Sequence, residues 1–146
     1  MVRAKRSHPG GLVIVVMGVA GCGKTTVGKR LSAVLGFDFF DADDFHPVEN
    51  VAKMHAGIAL TDADRTPWID RLNDLIRKHA LERGGRMVLA CSALKVAYRM
   101  RLVAGCADDC RFVHLSGDKA TMAARLAARA GHYMNPALLD SQFAIL

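Results

Sequence analysis

The chain has little of what would place it in a special structural class. Its 146 residues include only 4 prolines, 4 cysteines and 6% aromatic residues. No apolar stretch approaches the ~20 residues that a membrane-spanning helix needs. Apolar residues make up 51% and charged residues 23%, which excludes a disordered chain and a fibrous repeat. The length predicts one globular domain.

Acidic residues are also scarce beside basic ones. The chain has 14 Asp and Glu against 20 Lys and Arg, which gives a formal net charge of +6. Such an excess favours a polyanionic ligand, nucleotide or nucleic acid alike. No basic stripe interleaved with aromatic residues accompanies it, so we expect no nucleic-acid partner.

The amino terminus allows two interpretations. Arg3, Lys5 and Arg6 precede an apolar run, as in a secretory signal, and Cys22 follows small residues as in a lipoprotein cleavage site. The segment Pro9-Gly10-Gly11 interrupts that layout. We therefore predict a disordered basic tail over residues 1–10 and a single domain over residues 11–146.

The four cysteines predict neither a disulfide framework nor a zinc site. Cys106 and Cys110 are close in sequence, but no second Cys or His pair follows in zinc-ligand register. Free thiols are typical of a reducing compartment, so we expect a cytoplasmic protein without membrane attachment.

Hydrophobic patterning predicts strands that alternate with helices. Strands are predicted at Leu12–Met17, Phe37–Asp41, Met87–Cys91 and Arg111–Leu115. Helices are predicted after residue 23, from an N-cap at Thr66 with Pro67 in the first turn, over Leu94–Val103 and over Lys119–Arg129. In the first helix, Val27, Leu31, Val34 and Leu35 are the predicted buried face, and Gly36 is the predicted C-cap. The alternation predicts an α/β domain with a parallel sheet and helices on both faces, in three layers.

One motif indicates phosphate binding. The sequence Gly18-Val-Ala-Gly-Cys-Gly-Lys-Thr25 follows a predicted buried strand and opens a helix, which is the context of a P-loop. Its backbone N–H groups and the helix dipole would hold phosphates, Lys24 would reach the β- and γ-phosphates, and Thr25 would ligate Mg²⁺. The predicted nucleotide-binding residues are Gly18, Val19, Ala20, Gly21, Cys22, Gly23, Lys24, Thr25 and Thr26.

A pair of carboxylates follows the second predicted strand. The third strand ends without an acid, whereas the second runs into Asp41-Ala-Asp43-Asp44. One carboxylate near magnesium and another near an acceptor hydroxyl suit a kinase for a small molecule, since an alcohol needs positioning and a proton acceptor. A solvated acidic turn is the alternative. The polar segment 43–64 is predicted to be a substrate-facing insertion.

With these motifs the sequence resembles the gluconokinases of the small P-loop type, relatives of shikimate and adenylate kinases. The resemblance runs from about Leu12 to Phe143. Its most specific stretches are Asp41-Ala-Asp-Asp-Phe-His-Pro47 with Asn50, Lys53-Met54 and Asp64-Arg65, then Cys91-Ser-Ala-Leu-Lys95, Tyr98-Arg99 and Ser141-Gln142-Phe143. The resemblance implies a P-loop kinase fold and transfer of phosphate from ATP to D-gluconate, with ATP and Mg²⁺ as cofactors.

The resemblance also implies roles for single residues. Asp43 would orient and deprotonate the sugar hydroxyl, and Asp41 would hold magnesium with Thr25. Arg65, Lys95 and Arg99 are candidates for the substrate carboxylate, with surface ion pairs as the alternative. His46 would either bind the polyol or cap a helix. Arg125 and Arg129 would belong to a lid that stabilises the transferred phosphoryl, or to a solvated basic helix face.

The resemblance differs at the carboxyl terminus. Gluconokinases continue after the Ser141-Gln142-Phe143 stretch to a further strand and helix, whereas this sequence ends at Leu146. We therefore expect four strands, with a fifth missing beside Arg111–Leu115, and an open edge that would permit a homodimer. The alternatives to gluconokinase activity are a kinase for another sugar acid and a poorly active nucleotide-binding form.

Overall fold

The structure is a computed structural model that describes residues 11–82, 84–128 and 136–146. Its centre is a parallel sheet of four strands in the order β2-β3-β1-β4. The predicted α/β class and all four strands are confirmed, each to within one residue at either end. The predicted tail over residues 1–10 lies outside the described residues. The strands are β1 (Leu12–Met17), β2 (Asp38–Asp41), β3 (Arg86–Ala90) and β4 (Cys110–His114).

Six α-helices connect and flank the strands in the described part of the chain. They are α1 (Lys24–Leu35), α2 (Val48–His55), α3 (Asp62–Arg77), α4 (Val96–Leu102), α5 (Lys119–Ala127) and α6 (Pro136–Ile145). Helix α3 continues as a short π-helix over Lys78–Glu82. Short 3₁₀ helices cover Ala42–Phe45 and Ala107–Asp109.

Strand β3 is buried on both faces of the sheet from Met87 to Ala90, and β1 is buried or partly buried along its length, because successive side chains point to opposite faces. Val13 and Val15 are fully buried with Leu72 and Ile76 of α3 on one face. On the other face, α1 approaches β3 closely at Gly28. A Cβ at Gly28 would lie 2.7 Å from the Phe39 ring, so only glycine allows this approach without rearrangement.

The prediction for the buried face of α1 was wrong. Val34 is 69% exposed, and Val27 and Leu35 are also exposed, whereas the buried residues are Gly28 and Ser32. The close contact with the sheet uses the smallest side chains of the helix. Gly36 does cap the carboxyl end in the left-handed conformation, as predicted.

The predicted start of the third helix was also wrong. The N-cap is Thr61, whose side chain accepts from the Asp64 N–H while the Asp64 carboxylate accepts from the Thr61 N–H. This reciprocal capping box satisfies two backbone donors at once, which one Thr66 hydroxyl could not do. Thr66 and Pro67 instead lie inside the helix.

Strand β4 forms an exposed edge of the sheet. Phe112 is 36% and Val113 41% exposed. An apolar groove of about 520 Å³ runs between this strand and α4, with Val96, Met100 and Val103 in its lining. An open edge beside the fourth strand is therefore observed, as predicted.

The four cysteines are buried free thiols. Cys91 lies at the end of β3, and burial raises the pKa of its thiol to about 12. In the part of the chain that the structure describes, no helix is long and apolar enough to cross a bilayer.

Candidate active site

The turn between β1 and α1 has the conformation that phosphate binding requires. Gly21 and Gly23 adopt positive φ angles of 83° and 93°, which curl the backbone before the helix. A Cβ at Gly21 would also lie 2.9 Å from the Met122 carbonyl oxygen. The Lys24 ammonium lies over the turn and donates to the carbonyls of Gly18 and Val19 at 2.9 and 3.0 Å. The positive charge therefore lies where phosphates would enter.

Cys22 contributes packing to this turn. Its side chain is buried in a small cluster with Val19, Leu94, Met122 and Leu139. Its sulfur lies 3.9 Å from Lys24 Nζ, the only polar contact that the described residues show for it. The cluster fixes the turn against α5 and α6.

Thr25 and Asp41 join the P-loop to the end of β2. The Thr25 hydroxyl donates to Asp41 Oδ2 at 3.0 Å, and Asp41 Oδ1 accepts the Asp43 N–H at 3.0 Å. Two hard oxygen ligands thus stand side by side next to Lys24. The described residues contain no cluster of three or more His, Cys, Asp or Glu side chains that could hold a metal. Two protein oxygens beside a phosphate site fit Mg²⁺, which usually combines one or two protein ligands with substrate phosphates and waters.

A cavity of about 470 Å³ connects the P-loop with the acidic turn and the insertion. Its polar lining includes six predicted site residues, which are Lys24, Thr25, Asp41, Asp43, His46 and Arg65. These residues, from separate parts of the sequence, thus line one cavity. Apolar walls come from Met54, Ile58 and Leu60 of the insertion and from Trp68. The segment between β2 and α3, which was predicted to be a substrate-facing insertion, lines this cavity.

Asp43 and His46 line the same cavity as the phosphate turn. The Asp43 side chain is 78% exposed, and its Oδ1 lies 3.8 Å from His46 Nε2. The His46 ring stacks on Trp68, with centroids 4.1 Å apart and planes at 15°. Burial, reinforced by the nearby Arg65 charge, lowers the pKa of His46 to about 4, so the ring is neutral near pH 7.

Of the three basic candidates for a substrate carboxylate, the structure brings only Arg65 to the cavity. Its Nη1 donates to the Leu60 carbonyl at 2.8 Å and to the Tyr98 hydroxyl at 3.0 Å. A guanidinium has five N–H donors, and the described contacts use Nη1 alone. Arg65 therefore keeps donors for an anionic ligand.

Lys95 and Arg99 have other partners. Lys95 lies 3.0 Å from Asp62 Oδ1, and the Tyr98 hydroxyl donates to the same carboxylate. These two hydrogen bonds hold the pKa of the Asp62 carboxyl below its usual value, and the bond from Tyr98 has the larger effect. Arg99 donates to the Ala93 and Leu94 carbonyls at 2.7 and 2.9 Å. It thereby braces the turn after β3, where Ala93 has a positive φ of 46°.

Of the two predicted lid arginines, the structure describes only Arg125. Arg125 is an exposed residue of α5 outside the lining that the described residues define. Arg129, with Gly131 and His132, lies outside the described residues. Thr26, the last predicted P-loop residue, is exposed in the first turn of α1. The roles of Arg125 and Arg129 stay predictions.

Helix α6 forms a wall of the cavity, and the sequence did not predict this position for it. Gln142 Oε1 accepts the Ala20 N–H at 2.7 Å, and Ser141 and Ile145 also line the chamber. The Ser141-Gln142-Phe143 stretch was part of the family resemblance, but nothing in the sequence places it against the P-loop.

Asn50 and Asp64 form hydrogen bonds that hold the cavity residue His46 in place. Asn50 is 3% exposed, and its Nδ2 contacts both the Asp64 carbonyl and the His46 ring. Asp64 also accepts from Lys53 at 2.7 Å, and that ammonium, with the Thr61 N–H, lowers the pKa of the carboxyl to about 2. A sequence signal existed, since Thr61-x-x-Asp64 matches the capping-box pattern.

Comparison with known proteins identifies the family. Residues 13–143 match a family model described as an AAA domain. The chain is 46% identical to a probable gluconokinase of Xenopus tropicalis, over 90% of this chain and 76% of that protein. It is 45% identical to a gluconokinase of Arabidopsis thaliana, over 93% and 78% of the two chains.

A solved structure extends the match to the fold. The crystal structure of a gluconokinase from Sinorhizobium meliloti 1021 superposes with a TM-score of 0.81 and 40% identity, covering 94% of this chain and 75% of that one. The sequence matches and the fold match indicate the same family, and the P-loop, the acidic turn and the insertion line one cavity. The chain belongs to the gluconokinase family of P-loop proteins.

Proposed function

We propose that the protein transfers the γ-phosphoryl group of ATP to a hydroxyl of D-gluconate, giving ADP and 6-phosphogluconate. Relatives at 45–46% identity carry the name gluconokinase. The observation that carries the proposal is the single cavity that joins the P-loop to Asp43, His46 and Arg65. Phosphoryl transfer requires donor and acceptor to meet in line, and this cavity is lined both by the phosphate turn and by polar hydrogen-bonding groups.

The nucleotide phosphates would bind to the P-loop backbone. The N–H groups of the curled turn and the positive end of α1 would hold them, and Lys24 would move from the Gly18 and Val19 carbonyls to their oxygens. Thr25 and Asp41 would hold Mg²⁺, which neutralises charge on the phosphates when bound. Arg125 and Arg129 would approach from the lid side.

The acceptor would bind at the insertion. Asp43 would orient the attacking hydroxyl and take its proton, because its carboxylate lies at the cavity and its backbone is fixed on Asp41. Arg65 would bind the sugar carboxylate through the donors that Leu60 and Tyr98 leave unused. Lys95 and Arg99 would act indirectly, Lys95 through the Asp62–Tyr98 pair that holds Arg65, and Arg99 through the turn after β3.

The location and assembly belong to the same proposal. Four buried free thiols and dependence on ATP support a cytoplasmic enzyme. ATP and D-gluconate are the proposed ligands, and the exposed β4 edge supports a homodimer.

The test is release of ADP from ATP and Mg²⁺ with a panel of acceptors. The panel contains D-gluconate, other sugar acids, shikimate and a nucleoside monophosphate. We expect D-gluconate to give the highest kcat/KM. A faster reaction with another sugar acid would correct the substrate, and a faster reaction with shikimate or the nucleotide would overturn the proposal.

A further inference from the structure

The stacked pair of His46 and Trp68 holds one side chain rigidly beside Asp43. The Trp68 indole N–H donates to the Ala42 carbonyl at 2.7 Å, which fixes the plane on which the imidazole lies. The His46 side chain is only 4% exposed. A ring held in this way can act on a ligand through whichever nitrogen faces the cavity, so its proton position decides what it offers.

The hydrogen bonds of Asn50 determine that proton position. Asn50 Nδ2 lies 2.9 Å from the Asp64 carbonyl oxygen, which can only accept, so this atom must be the amide nitrogen. The same nitrogen lies 3.2 Å from His46 Nδ1. An amide nitrogen donates and does not accept, so Nδ1 must be the acceptor. A neutral ring that accepts at Nδ1 carries its proton on Nε2.

The protonated nitrogen faces the carboxylate that the proposed reaction uses. His46 Nε2 and Asp43 Oδ1 are 3.8 Å apart, too far for a direct hydrogen bond. A hydroxyl oxygen within hydrogen-bond distance of both atoms could accept from Nε2–H and donate its own proton to Oδ1. The charged groups described beside the ring are Asp43, whose Oδ1 lies near Nε2, and Arg65, whose guanidinium can only donate.

We propose that Asn50 is a positioning residue that holds the proton on His46 Nε2, so that His46 and Asp43 together select and orient the hydroxyl of the acceptor. This inference rests on the proposed kinase function. The acceptor oxygen forms its bond to the γ-phosphorus while the bond from that phosphorus to the bridging oxygen of ATP breaks, and ADP leaves with this oxygen. The hydroxyl proton passes to Asp43, and His46 keeps its own proton throughout. The pair thus favours an acceptor group that both donates and accepts, which an alcohol does and an alkoxy or carbonyl group does not.

The proton position can be measured without turnover. Nitrogen-15 NMR of the histidine side chains, with His46 assigned by its loss in His46→Gln, should show protonated Nε2 and unprotonated Nδ1. Asn50→Asp keeps the shape but presents an acceptor, and we expect the proton to move to Nδ1. A wild-type ring protonated on Nδ1 would overturn the inference.

Kinetics test the consequence of the proton position. We expect Asn50→Asp to lower kcat at least tenfold and to raise the KM for D-gluconate, with the Kd for ATP unchanged. Asn73→Asp is the matched control, because Asn73 also donates to two backbone carbonyls, those of Leu102 and Ala104, far from the cavity. We expect its kinetics to stay at the wild-type values.

Two variants of His46 test the inference independently if Asn50→Asp folds poorly. The side-chain amide of His46→Gln can place an N–H near the Nε2 position, whereas that of His46→Asn reaches only the Nδ1 position. We expect His46→Gln to keep at least tenfold more activity than His46→Asn. Equal activities, or a proton shift in Asn50→Asp without loss of turnover, would refute the inference. If the wild type phosphorylates no acceptor, the proposed function fails, and the NMR result still decides the position of the proton.

Discussion

The Thr25 hydroxyl and the Asp41 carboxylate lie 3.0 Å apart, across 16 positions of sequence. This contact joins the first turn of α1 to the end of β2, and it brings the only strand of the described four that ends in Asp to the phosphate turn. The two oxygens can therefore serve one cation together.

We predict that Asp41→Asn raises the Mg²⁺ concentration for half-maximal activity about tenfold. The amide keeps a hydrogen-bond acceptor for Thr25 but removes the negative charge that attracts a hard cation. A magnesium titration at saturating ATP measures this. Asp38→Asn is the control, because Asp38 begins the same strand and pairs with His79. An equal shift in both variants would contradict the proposed site.

Lys24→Ala should lower kcat by about two to three orders of magnitude, because its charge would meet the transferred phosphates directly. Cys22→Ser should retain most of the activity, since the Cys22 side chain packs in a cluster and its sulfur has one polar contact among the described residues, with Lys24. Initial rates and melting temperatures of the two variants separate catalysis from stability. Similar losses of kcat in both would refute the roles given to this turn.

Asp43→Asn should reduce kcat strongly while the Kd for ATP stays unchanged. The carboxylate lines the cavity, and in the proposed reaction its loss removes the proton acceptor and not a nucleotide ligand. Asp44→Asn, at the exposed neighbouring position, is the matched control. Calorimetric ATP binding and steady-state rates check both values. A weaker Kd with unchanged kcat would place Asp43 elsewhere.

The buried imidazole of His46 predicts a pH-dependent stability. Its pKa falls from 6.5 to about 4 on folding, so the unfolded chain binds a proton more readily between these values. The free energy of unfolding should therefore decrease as pH falls from 6.5 to 4, by the order of 3 kcal/mol from this group. Denaturant unfolding across this range should show a smaller decrease for His46→Gln. Parallel curves for the two proteins would contradict the pKa assignment.

The open edge of the sheet predicts self-association. Phe112 and Val113 are partly exposed on β4, and an unpaired parallel edge can bind another chain. We expect the apparent mass to rise with protein concentration in sedimentation experiments, and Val113→Lys to reduce this rise. Val34→Lys is the control, because Val34 is a more exposed apolar residue on helix α1. A monomer at all concentrations would overturn the prediction.

The sequence predicted the strands and the P-loop well because their signals are local. Leu12–Met17 is a continuous apolar run, and the glycine spacing after it is specific to phosphate turns. The buried face of α1 was predicted wrongly because a hydrophobic pattern cannot show that a sheet approaches through Gly28 and Ser32. Thr66-Pro67 was a good local start signal, yet the capping box at Thr61 satisfies more donors.

The sequence predicted which residues line the candidate site better than it predicted their contacts. Lys24, Thr25, Asp41, Asp43, His46 and Arg65 do meet at one cavity. Which basic side chain remains available to a ligand in the cavity depends on long-range ion pairs. The pair of Asp62 and Lys95, for example, joins residues 33 positions apart. Such pairs leave no signal in a single sequence.

The Ala20–Gln142 hydrogen bond joins residues 122 positions apart in a chain of 146. During synthesis, the amino-terminal turn leaves the ribosome long before its partner helix exists. The Ala20 N–H therefore has no Gln142 oxygen to bind until 122 further residues have been made. Contacts of such sequence separation form late and slowly in folding. The phosphate turn is thus translated long before the helix that completes the wall beside it.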